Sequence, residues 1–317
     1  MDLFKNLSKF LVIFSIAIFA VSCGDDDEPT TSGDPTIAEL ASDTDNLSIL
    51  VAALDRADLV STLNGDGPFT VFAPTNEAFE NFLATNGFNS LEDIPVDVLS
   101  SVLLNHVVSG SVSSSQLTTG YIETAATEAT SGNNINMYVN TTNGVTLNGT
   151  SQVTQADIAA DNGIVHVVNE VIGLPSVVTF ATADNTFSTL VAALTRSDLT
   201  TDFVSVLSGA GPFTVFAPTN DAFTALVGEL GISGLGDIDT GTLDAVLKYH
   251  VVGGANVLST MLSDDMDVET LANVGFSIDL DNGAEIVDNR GRRISIIVTD
   301  VQASNGVIHA VDRVILP

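Results

Sequence analysis

The stretch Gly67–Phe79 reads GPFTVFAPTNEAF, and Gly211–Phe223 reads GPFTVFAPTNDAF. Twelve of the thirteen letters agree, with Glu77 opposite Asp221 as the single exchange. Gly-Pro breaks the chain, and FTVFA is a short β-rich run with apolar residues on both sides, the pattern of a buried strand. Pro-Thr-Asn ends that strand and offers a Thr or Asn oxygen to cap a following helix. An acid in the first helical turn suits the positive end of the helix dipole, and Phe79 and Phe223 turn back toward a core. Apart from the capping acid, nothing in the stretch is nucleophilic or titratable near neutrality. It reads as architecture.

The repetition extends outward in both directions. LSILVAALDRADL (Leu47–Leu59) corresponds to FSTLVAALTRSDL (Phe187–Leu199) at an offset of 140 residues. The opening stretch corresponds at 144, because the second copy carries four extra residues around Thr200–Ser208. LLNHVV (Leu103–Val108) matches LKYHVV (Leu247–Val252), and NGIVHVVNEVIGLP (Asn162–Pro175) matches NGVIHAVDRVILP (Asn305–Pro317). A repeat of this length is a whole domain, not a solenoid unit. The expected organisation is a signal peptide at 1–22, an acidic tether at 23–34, and domains at 35–175 and 176–317. Pro175 closes one copy and Ser176 opens the next, and so short a joint predicts restricted domain movement.

Within each copy, Leu47, Leu50, Val51 and Leu54 fall at helical spacing, as do Phe187, Leu190, Val191 and Leu194. A second helical stripe carries Leu99, Val102, Leu103 and His106, or Leu243, Val246, Leu247 and His250. The back half is strand-like, with hairpin turns at Asn143-Gly144 and Asn282-Gly283. Helices first and antiparallel strands after them argue an α+β domain.

Three motifs in the same order in both copies carry a family resemblance: the TVFAPTN[DE]AF block, the histidine after an apolar helix, and the closing NG[IV][VI]H strand. Together they resemble fasciclin domains over essentially everything behind the tether. The resemblance implies two tandem domains, each a β-wedge or sandwich with several packed helices. It also implies a role in adhesion or extracellular interaction rather than catalysis. The family's Tyr-His pair, linked to receptor binding, matches Tyr249 and His250; the first copy departs from it with Asn105 before His106. These four are the candidate binding residues.

The first residues point to the cell envelope. Lys5 and Lys9 precede the apolar run Phe10–Val21, too short to span a bilayer comfortably. The run ends in Ala20-Val21-Ser22-Cys23, ahead of the chain's only cysteine. This is a signal-peptide layout whose end resembles a bacterial lipobox, with Ala20 where that motif prefers Leu; an ordinary cleaved signal is the alternative. On the lipoprotein reading Cys23 is acylated and is the membrane partner of the chain. The following acidic, turn-rich GDDDEPTTSGDP reads as a flexible tether. Asp25–Glu28 resembles the acidic patch behind the lipidated cysteine in surface-displayed Bacteroidetes lipoproteins, which implies an outer-membrane, surface-exposed location; a plain solvated linker is the alternative.

Charge excludes one class of partner. Nine Lys and Arg stand against forty Asp and Glu, a formal charge of −31, and only Arg290, Arg292 and Arg293 cluster. Nucleic acid is set aside, because its phosphates need a basic surface. The arginines are expected to pair with Asp288 and Asp300, the alternative being an acidic glycan or headgroup. The four histidines sit among apolar neighbours without Cys, His-x-x-x-His or Glu-x-x-His, so core histidines are expected rather than metal ligands. Tyr249 and His250 are adjacent and point to different helix faces, so one is expected in the core and the other at the surface. DLDNG (Asp279–Gly283) reads as a turn rather than a calcium loop, and SDDMDVE (Ser263–Glu269) as a solvated loop. No catalytic residue, metal or cofactor is expected: the chain has no Gly-x-Ser-x-Gly elbow, phosphate loop or metalloprotease helix. The leading function is adhesion through an extracellular protein or polysaccharide. The alternative is a glycan or small-ligand binding lipoprotein of the periplasm or outer membrane; the absence of Trp and the three Tyr favour adhesion.

Overall fold

Both copies lay down their elements in one order. The first has α1 (Ile37–Ser42), α2 (Ser48–Arg56), α3 (Val60–Leu63), β1 (Phe69–Pro74), α4 (Asn76–Asn86) and α5 (Val96–Leu104), followed by β2 (Val107–Ser109), β3 (Gly120–Thr127), β4 (Asn134–Asn140), β5 (Thr146–Leu147), β6 (Ser151–Ala160) and β7 (Gly163–Val168). The second has α6 (Val177–Ala183), α7 (Ser188–Leu194), α8 (Phe203–Leu207), β8 (Phe213–Pro218), α9 (Asn220–Leu230) and α10 (Thr240–Tyr249), followed by β9 (Val251–Gly253), β10 (Asp267–Glu269), β11 (Gly275–Asp279), β12 (Glu285–Val287), β13 (Arg293–Ala303) and β14 (Gly306–Val311). The computed structural model describes residues 34–317, which form one unit. The signal segment 1–22, Cys23 and all but the last residue of the tether lie outside the described residues.

Each copy builds a seven-stranded sheet, in the orders β2-β1-β7-β6-β5-β4-β3 and β10-β11-β12-β13-β14-β8-β9. The repeated strand pairs in parallel with the closing strand, Val71 opposite Val165 and Val215 opposite Ile308; the other pairings are antiparallel. In the first copy the sheet folds back far enough for β2 to touch β3, which gives the wedge.

The double-sided burial of FTVFA follows from this arrangement. Val71 and Ala73 face the helices, packing with Leu50, Phe79 and Leu99. Phe72 faces the fold of the sheet, among Val108, Met137, Leu147 and Ile172. Phe216 stands between the corresponding halves of the second copy with Phe276 and Ile286. A strand covered on both faces reads as a continuous apolar run.

The Thr and Asn letters of the repeated stretch are spent within the domain. Thr75 and Thr219 cap α4 and α9, accepting from the N–H of Ala78 at 3.2 Å and of Ala222 at 3.3 Å. Asn76 reaches instead to the turn before α2, accepting from Ile49 N–H at 2.9 Å and donating to the Asp45 carbonyl at 3.1 Å; Asn220 does the same with Thr189 and Asn185. Thr70 accepts from Val112 N–H at 2.8 Å and donates to the Gly110 carbonyl at 2.6 Å. Gly67 and Gly163 are demanded by close approach: a Cβ at Gly67, φ +53°, would lie 2.2 Å from the Asn162 carbonyl oxygen, and one at Gly163, φ +155°, 2.0 Å from that of Phe69. The first and last motifs of a domain are therefore pressed against each other, backbone on backbone.

The two copies share a joint. Pro175 accepts from the N–H and hydroxyl of Ser304 at 2.7 and 2.8 Å, and Ser176 caps α6 through a reciprocal bond pair with Thr179. Tyr138 of β4 is buried in the core of the second copy, and Tyr121 of β3 packs edge-on against Phe180 at 5.3 Å between ring centres. Asp184 accepts from both phenols, Tyr121 at 3.1 Å and Tyr138 at 3.4 Å. Asn136 accepts from the N–H of Gln302 in β13 at 2.7 Å.

Candidate functional site

The candidate binding residues are interior. α5 ends at Leu104, so His106 stands just beyond the helix instead of on its stripe; His250 is the cap residue of α10. Helix C-termini leave carbonyls without partners, and here the imidazole supplies one. Nδ1 of His106 lies 2.7 Å from the Val102 carbonyl, while Nε2 accepts from Ile172 N–H at 2.9 Å. His250 repeats this with Val246 at 2.7 Å and Ile315 at 2.9 Å. A nitrogen accepting from an N–H carries no proton, so the proton sits on Nδ1 and both rings are neutral. Burial pushes both down from 6.5 to about 4.

Tyr249 is fully buried, and its ring meets Phe276 edge-on at 5.8 Å while its hydroxyl donates to the Gly275 carbonyl at 2.6 Å. The expectation that one of Tyr249 and His250 is exposed is corrected. The end of α10 lies between two apolar cores, one against the helices and one against the sheet, so both faces are covered. Asn105 occupies the equivalent place and is equally buried; its amide donates to the Ile172 and Gly173 carbonyls, both at 3.1 Å, and accepts from Thr124 at 3.3 Å. Tyr249, His250, Asn105 and His106 therefore hold the domain together and present no contact surface. Any influence on a partner passes through the shape they maintain.

The strand histidines complete a second repeated unit. His166 Nδ1 accepts from Asp157 N–H at 3.1 Å, and Nε2 lies 3.0 Å from the Val112 carbonyl; His309 does the same with Asp300 at 3.3 Å and Val257 at 2.8 Å, and burial lowers its pKa. Asp157 in turn accepts from Ser114, from its N–H at 2.7 Å and its hydroxyl at 2.5 Å. Serine, aspartate and histidine are thus adjacent, but in an order that cannot activate the serine. A hydrolytic triad needs the hydroxyl on the imidazole; here it is on the carboxylate, and the imidazole is spent on backbone.

Two of the three clustered arginines are also spent, while Arg290 is exposed and reaches only the Pro317 carbonyl, at 3.4 Å. Arg292 donates from Nε to Asp288 at 2.8 Å and pairs with it at 2.7 Å, and Arg293 pairs with Asp279 at 2.5 Å and Glu285 at 2.7 Å. Asp300, expected as a partner, is held instead by Ser259, because the bulge in β13 turns it toward the loop after β9. Asp279–Gly283 is a hairpin turn. Among the described residues no group of three or more His, Cys, Asp or Glu is placed to hold a metal ion.

A cleft of about 300 Å³ opens at the joint, with walls from both copies. Glu123, Asn133, Asn134 and Asn136 come from the first, and Thr260 and Gln302 from the second. Asp184, Tyr138 and the hub Asn162 were not singled out in the sequence. Asn162 accepts from Ile37 N–H at 3.0 Å and donates to the Leu63 and Gly65 carbonyls at 2.6 and 2.9 Å, and Asn305 repeats the set. Its identity in both copies was the available signal; the joint residues have no counterpart, since Thr44 stands where Asp184 does in the second copy.

A model of the fasciclin domain matches residues 45–175 and 185–317. The chain is 29% identical over 303 residues to transforming growth factor-beta-induced protein ig-h3 of Sus scrofa, covering 91% of this chain and 41% of that protein. It is 28% identical over 272 residues to periostin of Homo sapiens, covering 83% of this chain and 30% of that protein. Protein sll1483 of Synechocystis is 42% identical over 142 residues, 45% of this chain and 73% of that protein. The chain thus spans well under half the length of these animal relatives. A solved FAS1 domain pair from the insect cell adhesion molecule fasciclin I shares the fold at a TM-score of 0.53 and 19% identity, covering 85% of this chain and 96% of that chain.

Proposed function

Since the chain belongs to the fasciclin domain family and carries two of its domains in tandem, we propose that it is a lipid-anchored interaction module of the cell envelope. Its task is adhesion to cells, surfaces or extracellular matrix, with the lipid on Cys23. The observation that carries this reading is the joint. Two domains locked by a shared apolar contact and by the Tyr121, Tyr138 and Asp184 hydrogen bonds act as one rigid body, which passes load from a bound partner to an anchor without unfolding a linker. The buried backbone bonds of the four histidines and the unproductive order of Ser114, Asp157 and His166 support a non-catalytic role.

A second reading rests on the cleft at the joint. Its amide and carboxylate lining offers the donors and acceptors that sugar hydroxyls require, which suits a glycan-binding lipoprotein. Protease shaving of intact cells, with a Cys23→Ala variant alongside, separates the two. Digestion of the anchored protein, and its release into the medium or periplasm in the variant, supports adhesion at the surface. Protection until the outer membrane is opened refutes direct adhesion and leaves the glycan reading.

A further inference from the structure

The second copy contains an apolar cavity among its helices. It measures about 170 Å³ and lies between α6, α7 and α8, walled by Val177, Ala181, Leu190, Leu194, Phe203 and Leu207. No charged side chain lines it. The rim threonines Thr182 and Thr195 already donate their hydroxyls to the Val178 and Val191 carbonyls of their own helices, at 2.9 and 2.8 Å.

Composition does not separate the copies, since Ile37, Ala41, Leu50, Leu54 and Leu63 occupy the same places in the first. Chain length does. α2 runs to Arg56, and Ala57 behind it is buried, as is Leu54. α7 stops at Leu194, which is half-buried, and Ser197 at the position of Ala57 is exposed. The four additional residues Thr200–Phe203 then carry the chain outward into α8, whose first residue Phe203, 1% exposed, fills part of the space below that helix. The detour is held in place. Asp244 accepts from Thr201 N–H at 3.0 Å and pairs with Lys248 at 2.6 Å, where the first copy has Ser100 and Leu104. Insertion and clamp occur together in one copy and are absent together from the other.

We propose that this cavity is a binding site for a small uncharged apolar group, the size of one six-membered ring or a short alkyl segment. A dry apolar cavity of about 150 Å³ takes up benzene, so the volume here suits such a group. A polar group entering it would lose its water without a replacement partner.

The test is a toluene titration of the full chain, followed by methyl NMR. Saturable shifts are expected at Val191, Leu194 and Leu207, with Val51, Leu54 and Leu63 unmoved. Ala181→Leu, which fills the cavity, is expected to weaken binding by at least about tenfold. Absent saturation, equal shifts in both copies, or unchanged affinity in a folded Ala181→Leu overturns the proposal. A crystal under xenon pressure reads the same site without a substitution: density is expected in the second copy alone, and an empty cavity overturns the proposal.

Discussion

Lowering the pH from about 7 to about 5 is expected to destabilise both domains before their carboxylates titrate. His106 and His250 have folded pKa values near 4 against 6.5 when exposed, because burial disfavours the charged ring and both nitrogens already have partners. In the window between those values the unfolded chain binds more protons than the folded one, so stability is full above about pH 6.5 and falls with pH. The loss is about 2 kcal/mol per domain at about pH 5 and about 3 kcal/mol at about pH 4. Against a typical total of about 5–15 kcal/mol this is a large share. Carboxylates with lowered values, such as Glu39 and Asp157, start from lower reference values and add their losses mainly below that window. The assay is urea denaturation across the range, with His106→Gln removing the slope of the first domain, and ring NMR on the native protein. Ring resonances of His106 or His250 that titrate near 6.5 in the folded state, or a midpoint that does not move with pH, would refute the reasoning.

Three further outcomes follow from the same contacts. Gly163→Ala should cost about 3 kcal/mol or more, since its Cβ meets the Phe69 carbonyl oxygen, whereas Gly173→Ala, open on all sides, should stay within about 0.5 kcal/mol; equal denaturation midpoints would contradict the close packing. Asp184→Ala leaves two phenols without their acceptor and should loosen the joint by about 2 kcal/mol, read as faster proteolysis near Pro175 and a larger radius of gyration with both domains folded. All three tyrosines are raised by burial, Tyr138 to about 12, so tyrosinate absorbance at about pH 10.5 should stay below that of three free phenols until the protein unfolds; a full signal from the folded chain would mean exposed phenols.

Much of the local structure was legible because it depends on neighbours a few residues away. Thr75 caps a helix that begins at the next residue, the Asn-Gly pairs make turns between adjacent strands, and the repeated strand is apolar because it is covered twice. Asn162 was not legible, because Ile37 and Gly65 lie 125 and 97 residues away. Asp300 was misassigned for a related reason: nearness in sequence to Arg292 and Arg293 said nothing about the bulge that turns it toward Ser259.

The sequence by itself determined the two domains, their order of elements and their family, since a repeated pattern of strand, turn and cap is written in short-range steric and hydrogen-bond preferences. Only the tertiary structure decided what is inside. Helix periodicity separates the faces of Tyr249 and His250 but cannot say that a second core waits behind each face. Four extra residues leading into α8 are visible in the sequence, yet whether they fill space or open it depends on where α7 ends and on the Asp244 clamp. Burial is a property of the packed assembly, and it sums contacts from elements that no window of sequence contains together.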